Sequence, residues 1–427
     1  MKFPVNILKQ LEKNKHYLCL FFSFALLYIY YYPAVRTDIT FYHLDDYYII
    51  SELAKISDFN SFLNFIFSFA AFKFRPVSNF QYFFEYYLFG NNLNLYILFN
   101  IFLVLIINWI FLLIIKDRLN LVQAVLFSSI LVTSKFLNYS LWNITGSFES
   151  LALIFFLLIF FILINFKERV YLLYSLSALL IMTSERYLPF VVSIPVLHYF
   201  LYTKNNVFLD LKKGLGWSVF ILLLYLSFRT FFKQPLLVGT GTDQILTSFN
   251  PSIFIQHFIK SIADIMGFSV GPRYLTGSEL PLHLNYSAWS KHTKSFLNYQ
   301  IISVLLSIIL LNFNERKVKV AGIALLLMSL ASSVTFRLEM RWLAPSYIML
   351  LFIFSHANFE KLIKSLSFFR GIGNNLLARE KISKVLVNVA LLYLLIFNIY
   401  YMIHFRRNLY YAEYLDFFSL SKYFSLH

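Results

Sequence analysis

Residues 93–115 read LNLYILFNIFLVLIINWIFLLII, an apolar run of membrane-spanning length. About 20 such residues cross the hydrocarbon core of a bilayer as a helix. Similar runs recur along the chain, which is 59% hydrophobic and only 14% charged. Soluble proteins carry roughly a quarter charged residues, and strands of a membrane barrel would alternate apolar and polar side chains. The sequence therefore predicts an all-α polytopic membrane protein.

The apolar runs predict about eleven transmembrane helices. They lie at about 16–34, 93–115, 119–137, 147–166, 170–184, 187–203, 214–232, 297–313, 318–336, 342–356 and 385–404. Lysines before the first run place the N-terminus in the cytoplasm, and the loops then assigned to the cytoplasm are the richer in Lys and Arg. A multi-pass protein of the inner or plasma membrane is expected.

The predicted topology divides the chain into residues 1–232, with seven spans, and residues 233–427, with four spans and a short outer tail. The first outer loop, residues 36–92, shows an amphipathic pattern at 45–57, an almost wholly apolar segment at 59–74 and a Pro–Gly bracket at 76–90. These segments predict interfacial helices on the outer surface. A second large outer loop covers residues 233–296.

The formal net charge of +16 is attributed to loops that face anionic lipid, and no nucleic-acid partner is expected. The 51 Phe and 30 Tyr are attributed to codon usage and interfacial belts rather than to a ligand surface. Cys19 is the only cysteine, so no thiolate metal cluster is expected.

The first outer loop begins with FYHLDDYY, residues 41–48. An ionisable group beside a membrane span is costly and favours a functional role. Asp45 also suits a helix cap, with Asp46 as an acid in the first turn. That structural alternative leaves His43 without a role.

Other ionisable residues fall at the predicted outer ends of distant spans: Lys135, Glu149, Glu185, Arg186, Arg229, Arg337 and Arg341. The structural alternatives are that Arg337 and Arg341 extend to lipid headgroups and that Glu185 pairs with Arg186. Carboxylates for proton transfer and cations for an anionic group at one membrane face favour an outer cavity. A transporter more often carries its charges near the bilayer midplane.

Four motifs resemble the GT-C superfamily of membrane glycosyltransferases, in particular the protein O-mannosyltransferase and lipid A aminoarabinose transferase branch. They are the acidic pair in FYHLDDYY, FRP at 74–76, TSERYLP at 183–189 and RLEMRWLAP at 337–345. In the third motif, Ser184 stands where the family pattern has lysine. The short C-terminal tail also departs from members that end in an outer soluble domain.

The resemblance implies transfer of a sugar from a polyprenyl-phosphate donor to a lipid-linked or cell-surface glycan acceptor, such as lipopolysaccharide. Asp45 is expected to be the general base, with Asp46 as the second choice. Arg75, Arg186, Arg337 and Arg341 are expected to bind the donor phosphate.

The remaining site residues are expected to bind substrate. Glu149 and Glu185 would hold sugar hydroxyls or orient the arginines, while His43 and Tyr47 would contact the donor. No cofactor is required, although His43, Asp45 and Asp46 could bind a divalent ion. A flippase for lipid-linked saccharides and an O-antigen-type polymerase are the alternative functions.

Overall fold

The structure of the protein is a computed structural model. The described residues are 14–36, 44–68, 74–115, 119–137, 140–141, 144, 146–166, 168–202, 207–233, 249–265, 315–334, 340–356, 385, 387–396 and 398–399. Within these ranges every regular element is an α- or 3₁₀-helix. The predicted all-α class is therefore confirmed for this part of the chain.

Most of the described helices lie close to one another along the sequence. In the first half they are α1 (Lys15–Arg36), α2 (Leu44–Leu53), α3 (Phe59–Ser68), α4 (Pro76–Phe89), α5 (Leu93–Ile115), α6 (Leu121–Val132), α7 (Gly146–Asn165) and α8 (Val170–Thr183). A 3₁₀ turn, Glu185–Tyr187, leads into α9 (Leu188–Tyr202), α10 (Val207–Phe231), α11 (Pro251–Ile265) and α12 (Arg316–Ser333). A second 3₁₀ turn, Met340–Leu343, leads into α13 (Ala344–Ser355).

In the part of the chain that the structure describes, three helices are long and apolar enough to cross a membrane: Leu93–Ile115, Gly146–Asn165 and Gly214–Phe231 within α10. Shorter apolar helices cover Lys15–Ile29, Leu121–Val132, Val170–Thr183, Arg341–Ser355 and Val387–Ile396. Large apolar side chains such as Phe102 and Trp109 face outward on α5, as expected of a surface in contact with lipid. The predicted span at 297–313 lies outside the described residues.

Local sequence signals set several helix ends. Pro76 occupies the first turn of α4, where its missing N–H costs nothing. Gly90 ends that helix with φ of 54°, and its N–H donates to the Tyr86 carbonyl. Asn120 and Gln123 form a capping box at the start of α6. The bounds predicted for α4 are confirmed, because proline fixes φ at the start of the helix and glycine allows the positive φ that ends it.

The predicted span at 119–137 is longer than the helix found there. α6 ends at Val132, and the Thr133 hydroxyl donates back to the Ser129 carbonyl at 2.6 Å. The Ser134 N–H then bonds to the carbonyl of Leu131, three residues earlier, and a turn follows. Hydroxyl side chains compete for backbone groups, so the polar stretch after Val132 ends the helix early.

The bundle is assembled from neighbouring pairs. α7 lies between α5 and α8, and α1 packs against α5 and α6. α9 contacts α10 and α12. Helix α12 also packs along α13 and α11. The apolar core runs through this bundle and includes Phe111, Phe156 and Phe190.

The helices predicted for the first outer loop are present, and α4 is partly internal. α2 and α3 pack on α4, while α4 also contacts α5, α7 and α8. Its buried face carries Ser78, Asn79, Gln81 and Glu85. A polar face turned into the bundle differs from the expected helix lying flat on the surface, since a surface helix would turn its polar face to water.

A small neutral polar group lies where α1, α5 and α6 meet. The Asn108 amide donates to the hydroxyls of Ser23 at 3.0 Å and Ser128 at 2.6 Å, and the two hydroxyls are 2.7 Å apart. All three residues are fully buried. We call them the serine–asparagine trio, and such bonds fix how neighbouring membrane helices pack.

Candidate functional site

Six charged residues meet at one end of the bundle and form a buried ion-pair cluster. They come from the residue before α4, the first turn of α7, the 3₁₀ turn between α8 and α9, the last turn of α10 and the 3₁₀ turn before α13. We call them the arginine cluster: Arg75, Glu149, Glu185, Arg186, Arg229 and Arg341.

Glu149 anchors one half of the cluster. Arg186 donates from both terminal nitrogens to the two Glu149 oxygens, each at 3.2 Å. The Nε of Arg341 lies 3.9 Å from Glu149 Oε1. Both guanidinium groups lie over the Trp342 ring, at 4.7 Å for Arg186 and 5.7 Å for Arg341. The aromatic face adds a favourable contact for cations removed from water.

Glu185 anchors the other half. Arg229 and the Tyr225 hydroxyl both donate to Glu185 Oε2, the latter at 2.6 Å. Arg229 also donates to the Tyr225 hydroxyl at 2.6 Å, which closes a triangle. Arg75 approaches the second oxygen, Oε1, at 3.9 Å. The two adjacent residues Glu185 and Arg186 therefore pair with different helices, and the pattern differs from the alternative in which they pair with each other.

The cluster holds four guanidinium groups and two carboxylates. It therefore carries a formal excess of two positive charges, or of one if the nearby Glu85 is counted as ionised. Arg186 and Arg229 have close carboxylate partners, and their side chains are 6% and 1% exposed. Arg75 and Arg341 sit at the longer 3.9 Å contacts and are 13% and 12% exposed. Arg75 and Arg341 are thus the more exposed arginines of the cluster.

A hydrogen bond and a cation–ring contact also hold these segments together. Ser78 on α4 donates to the carbonyl of Thr183, the last residue of α8, at 2.7 Å. The Arg75 guanidinium also lies 5.1 Å from the centre of the Phe148 ring, at the start of α7. These contacts keep Arg75 beside the turn that carries Glu185.

A further carboxyl group, that of Glu85, lies next to the cluster. Glu85 on α4 is 1% exposed. The Gln81 amide donates to its Oε1 at 2.8 Å, and the Ser147 hydroxyl lies 3.1 Å from its Oε2. Ser147 is two residues before Glu149, so this contact joins α4 to the start of α7.

Five of the ten residues predicted for the site lie in the arginine cluster: Arg75, Glu149, Glu185, Arg186 and Arg341. For Asp45, Asp46 and Tyr47 the structure describes only the backbone. α2 begins at Leu44, so both aspartates lie in its first turn, where the helix dipole favours negative charge. His43 and Arg337 lie outside the described residues.

The sequence reasoning missed three members of this region. Arg229 was expected only near a helix end, and Tyr225 was indistinguishable from other tyrosines, although the two stand at i and i+4 on α10. Glu85 was assigned to the outer side without a role. Its spacing from Gln81, again i and i+4, is the signal that places both side chains on one face of α4.

The described side chains also bear on the predicted metal site. In the part of the chain whose side chains are described, no group of three or more His, Cys, Asp or Glu residues is arranged to hold a metal ion. The predicted ligands His43, Asp45 and Asp46 are not among those side chains, so the divalent ion stays a prediction.

Comparisons of the chain with protein-family models, with curated proteins and with solved structures gave no match. Its function is therefore inferred from the sequence motifs and from the chemistry of the arginine cluster. That cluster is a buried, positively charged site built from five segments of a helical protein with membrane-spanning helices.

Proposed function

We propose that the protein is a membrane glycosyltransferase. It would transfer a sugar from a polyprenyl-phosphate donor to a lipid-linked or cell-surface glycan acceptor on the outer face of the membrane. In this proposal the chain crosses the membrane about eleven times, with a GT-C-like arrangement. The observation that supports it most is the grouping of four arginines in one buried cluster.

Guanidinium groups are expensive inside an apolar bundle unless anions accompany them. The Nε atoms of Arg75 and Arg186 are buried and have no hydrogen-bond partner among the described residues. The hydroxyl of Ser184, beside Glu185, is likewise buried and unpartnered there. A phosphate offers several acceptor oxygens, and guanidinium groups bind it with matched geometry. The cluster therefore suits a phosphate group.

The arginines would act on the leaving group. The bond between the anomeric carbon and the phosphate oxygen breaks, and its electron pair stays with the lipid phosphate. Preorganised cations stabilise the charge that develops there. Arg75 and Arg341 would contact the phosphate most directly, with Arg186 and Arg337 assisting. Glu149 and Glu185 orient the guanidinium groups, one of the two roles expected of them.

The acidic pair would act on the acceptor. An acceptor hydroxyl oxygen forms the new bond to the anomeric carbon, and its proton passes to the Asp45 carboxylate, with Asp46 as the alternative base. α2 packs on α4, the helix that directly follows Arg75. In this proposal His43 and Tyr47 contact the donor, and the loop at 233–296 or the membrane cavity contacts the acceptor.

Reconstitution tests the proposal directly. Proteoliposomes that contain the purified protein, a polyprenyl-phosphate sugar and a lipid-linked glycan acceptor are expected to form the elongated glycan. Asp45→Asn is expected to abolish transfer while the protein stays folded. Glu52→Gln, which removes a partly exposed carboxylate on the same helix paired with Lys55, is the matched control.

The same assay separates the alternatives. Movement of unaltered lipid-linked sugar across the bilayer would identify a flippase. Joining of preassembled repeat units would identify a polymerase. Normal transfer by folded Asp45→Asn would remove Asp45 from the mechanism, and the same test on Asp46→Asn would follow.

A further inference from the structure

Trp342 is a buried aromatic residue that lies against the arginine cluster. It belongs to the 3₁₀ turn Met340–Leu343 and is 1% exposed. The Cζ atoms of Arg186 and Arg341 lie 4.7 Å and 5.7 Å from its ring centre. The Ser332 hydroxyl donates to the Trp342 carbonyl at 2.9 Å, which ties the turn to the end of α12. Both the ring and its backbone are therefore held in place.

The indole N–H of Trp342 lacks an acceptor. Its Nε1 atom is buried and has no hydrogen-bond partner among the described residues. The two guanidinium groups against the ring cannot serve, because a guanidinium, like an indole N–H, only donates. A buried donor without an acceptor costs free energy. The position therefore suits an acceptor that comes from outside the described part of the chain.

Donors on the neighbouring 3₁₀ turn share this lack. Arg186 binds Glu149 through its two terminal nitrogens, so that its Nε is left over. That Nε and the Ser184 hydroxyl are buried and have no hydrogen-bond partner among the described residues. Since the Arg186 guanidinium contacts the Trp342 ring, the donors of the two turns lie close together. One anion with several acceptor oxygens can satisfy more than one of them.

We propose that the indole N–H of Trp342 is a direct ligand of the phosphate anion that the arginine cluster binds. The arginines supply positive charge, and the N–H supplies a neutral donor whose direction is fixed by the buried ring. This donor orients the phosphate in the cluster. The inference rests on the proposed function for the lipid that carries the phosphate, and its test separates the phosphate contact from sugar transfer.

Nuclear magnetic resonance of protein with isotope-labelled tryptophan tests the contact directly. Trp342→Phe identifies the indole N–H signal of Trp342 by its loss. If that variant does not fold, replacement of each of the other tryptophans identifies the signal by elimination. Addition of polyprenyl phosphate in micelles is expected to move the Trp342 signal downfield, since a hydrogen bond to an anion deshields the proton. The signal of Trp109, which is 48% exposed on α5, is expected to stay in place.

Inorganic phosphate is the second probe in the same titration. A shift with both probes, or with the lipid alone, supports the proposed ligand. A shift with inorganic phosphate alone would keep Trp342 as a phosphate donor and would contradict the lipid donor of the proposed function. A Trp342 signal that stays in place with both probes would overturn the inference. If the lipid nevertheless binds, the proposed function stands without this contact.

Substitution measures what the N–H contributes. Trp342→Phe keeps an aromatic ring for the guanidinium groups but removes the donor. It is expected to weaken binding of polyprenyl phosphate about tenfold, the effect of one hydrogen bond to a charged group. Trp109→Phe makes the same exchange on the outward face of α5 and is expected to keep the wild-type affinity. Wild-type affinity in folded Trp342→Phe would contradict the proposed role.

Discussion

The arginine cluster and the serine–asparagine trio are both buried and polar, but they differ in charge and in reach. The trio is neutral and joins three helices that pack side by side, α1, α5 and α6. The cluster is charged, lies at the end of the bundle and draws on five separate segments.

This difference distinguishes polar groups that hold helices together from polar groups that form a binding site. Neutral hydrogen bonds meet the packing needs of an apolar bundle at low cost. Four guanidinium groups around two carboxylates are more than helix packing requires. A buried ion pair adds little net stability, because the cost of desolvating both charges offsets most of their attraction. We therefore assign a structural role to the trio and a binding role to the cluster.

Removal of a carboxylate from the cluster tests that assignment with the largest expected effect. Glu149→Gln leaves Arg186 and Arg341 buried without their common partner. Breaking a buried ion pair costs about 3–5 kcal/mol, and the free energy of unfolding is expected to fall by that amount. Denaturant unfolding in detergent micelles measures it.

Glu52→Gln provides the reference for that measurement. Glu52 is paired with Lys55 within α2, and the Lys55 side chain is 68% exposed. Surface pairs of this kind contribute little, so no measurable change is expected. If Glu149→Gln is as stable as Glu52→Gln, the cluster is not held by ion pairs.

A change of cation without a change of charge tests the binding role. Arg341→Lys keeps the charge but removes the planar group that lies over Trp342 and that can bind phosphate through two nitrogens. Binding of polyprenyl phosphate is expected to weaken about tenfold, or about 1.4 kcal/mol, while membrane insertion is unchanged. Titration of the purified protein with the lipid measures the affinity.

Arg169→Lys is the control for this substitution. Arg169 is an exposed arginine just before α8 that contacts Phe166. Its replacement is expected to leave the affinity as in the wild type. Unchanged binding by Arg341→Lys would instead indicate that Arg341 only extends to lipid headgroups.

The trio is expected to respond more weakly and only in stability. Asn108→Ala removes the donor to both serines, but the serine hydroxyls remain 2.7 Å apart and can still pair. Hydrogen bonds between membrane helices contribute about 1 kcal/mol, and unfolding in micelles is expected to show a loss of that size. Polyprenyl-phosphate binding by this variant is expected to match the wild type; a weakened affinity would contradict the structural assignment.

The smallest effect is expected at an exposed carboxylate that caps a helix. Asp58 accepts the backbone N–H of Ser61 at 2.7 Å at the start of α3, and this bond holds the pKa of Asp58 below its ordinary value. Since the folded-state pKa is lowered, the stabilisation is present above the unfolded-state pKa. It is lost as the pH falls through the folded-state pKa.

Helical content measured by circular dichroism between pH 7 and pH 3 tests this cap. The wild type is expected to lose a small part of its signal toward acid, and Asp58→Asn is expected to lack that component. A difference between the two proteins that grows toward neutral pH would agree with the cap. A difference that grows toward acid would contradict it.

The sequence predicted helices well where composition or backbone restriction decides them. The uniform apolar run at 93–115 and the Pro76–Gly90 bracket both gave the observed ends. The end of α6 was misplaced because the Thr133 hydroxyl and the Ser134 N–H bond to nearby carbonyls and stop the helix, although apolar residues resume at Phe136. Such competition depends on side-chain rotamers, which composition does not report.

The sequence predicted that the charged residues lie together at one face of the bundle, but it did not predict which of them pair. Charges in an apolar chain are conspicuous, and the alternation of spans assigned Arg75, Glu149, Glu185 and Arg341 to one face. Which carboxylate each arginine would meet depends on the rotation of each helix about its axis. Tyr225 is one of 30 tyrosines, and only its position one turn before Arg229 distinguishes it.

The pairing within the arginine cluster also bears on the order in which the chain enters the membrane. Glu149 and Arg186 are 37 residues apart, and Glu185 and Arg229 are 44 residues apart. Each pair is therefore complete soon after its second helix leaves the ribosome, and each is neutral. Arg341 reaches Glu149 only after α12 has been made. Biogenesis can thus insert helices as balanced pairs and add the last positive charge when the bundle that shelters it is nearly finished.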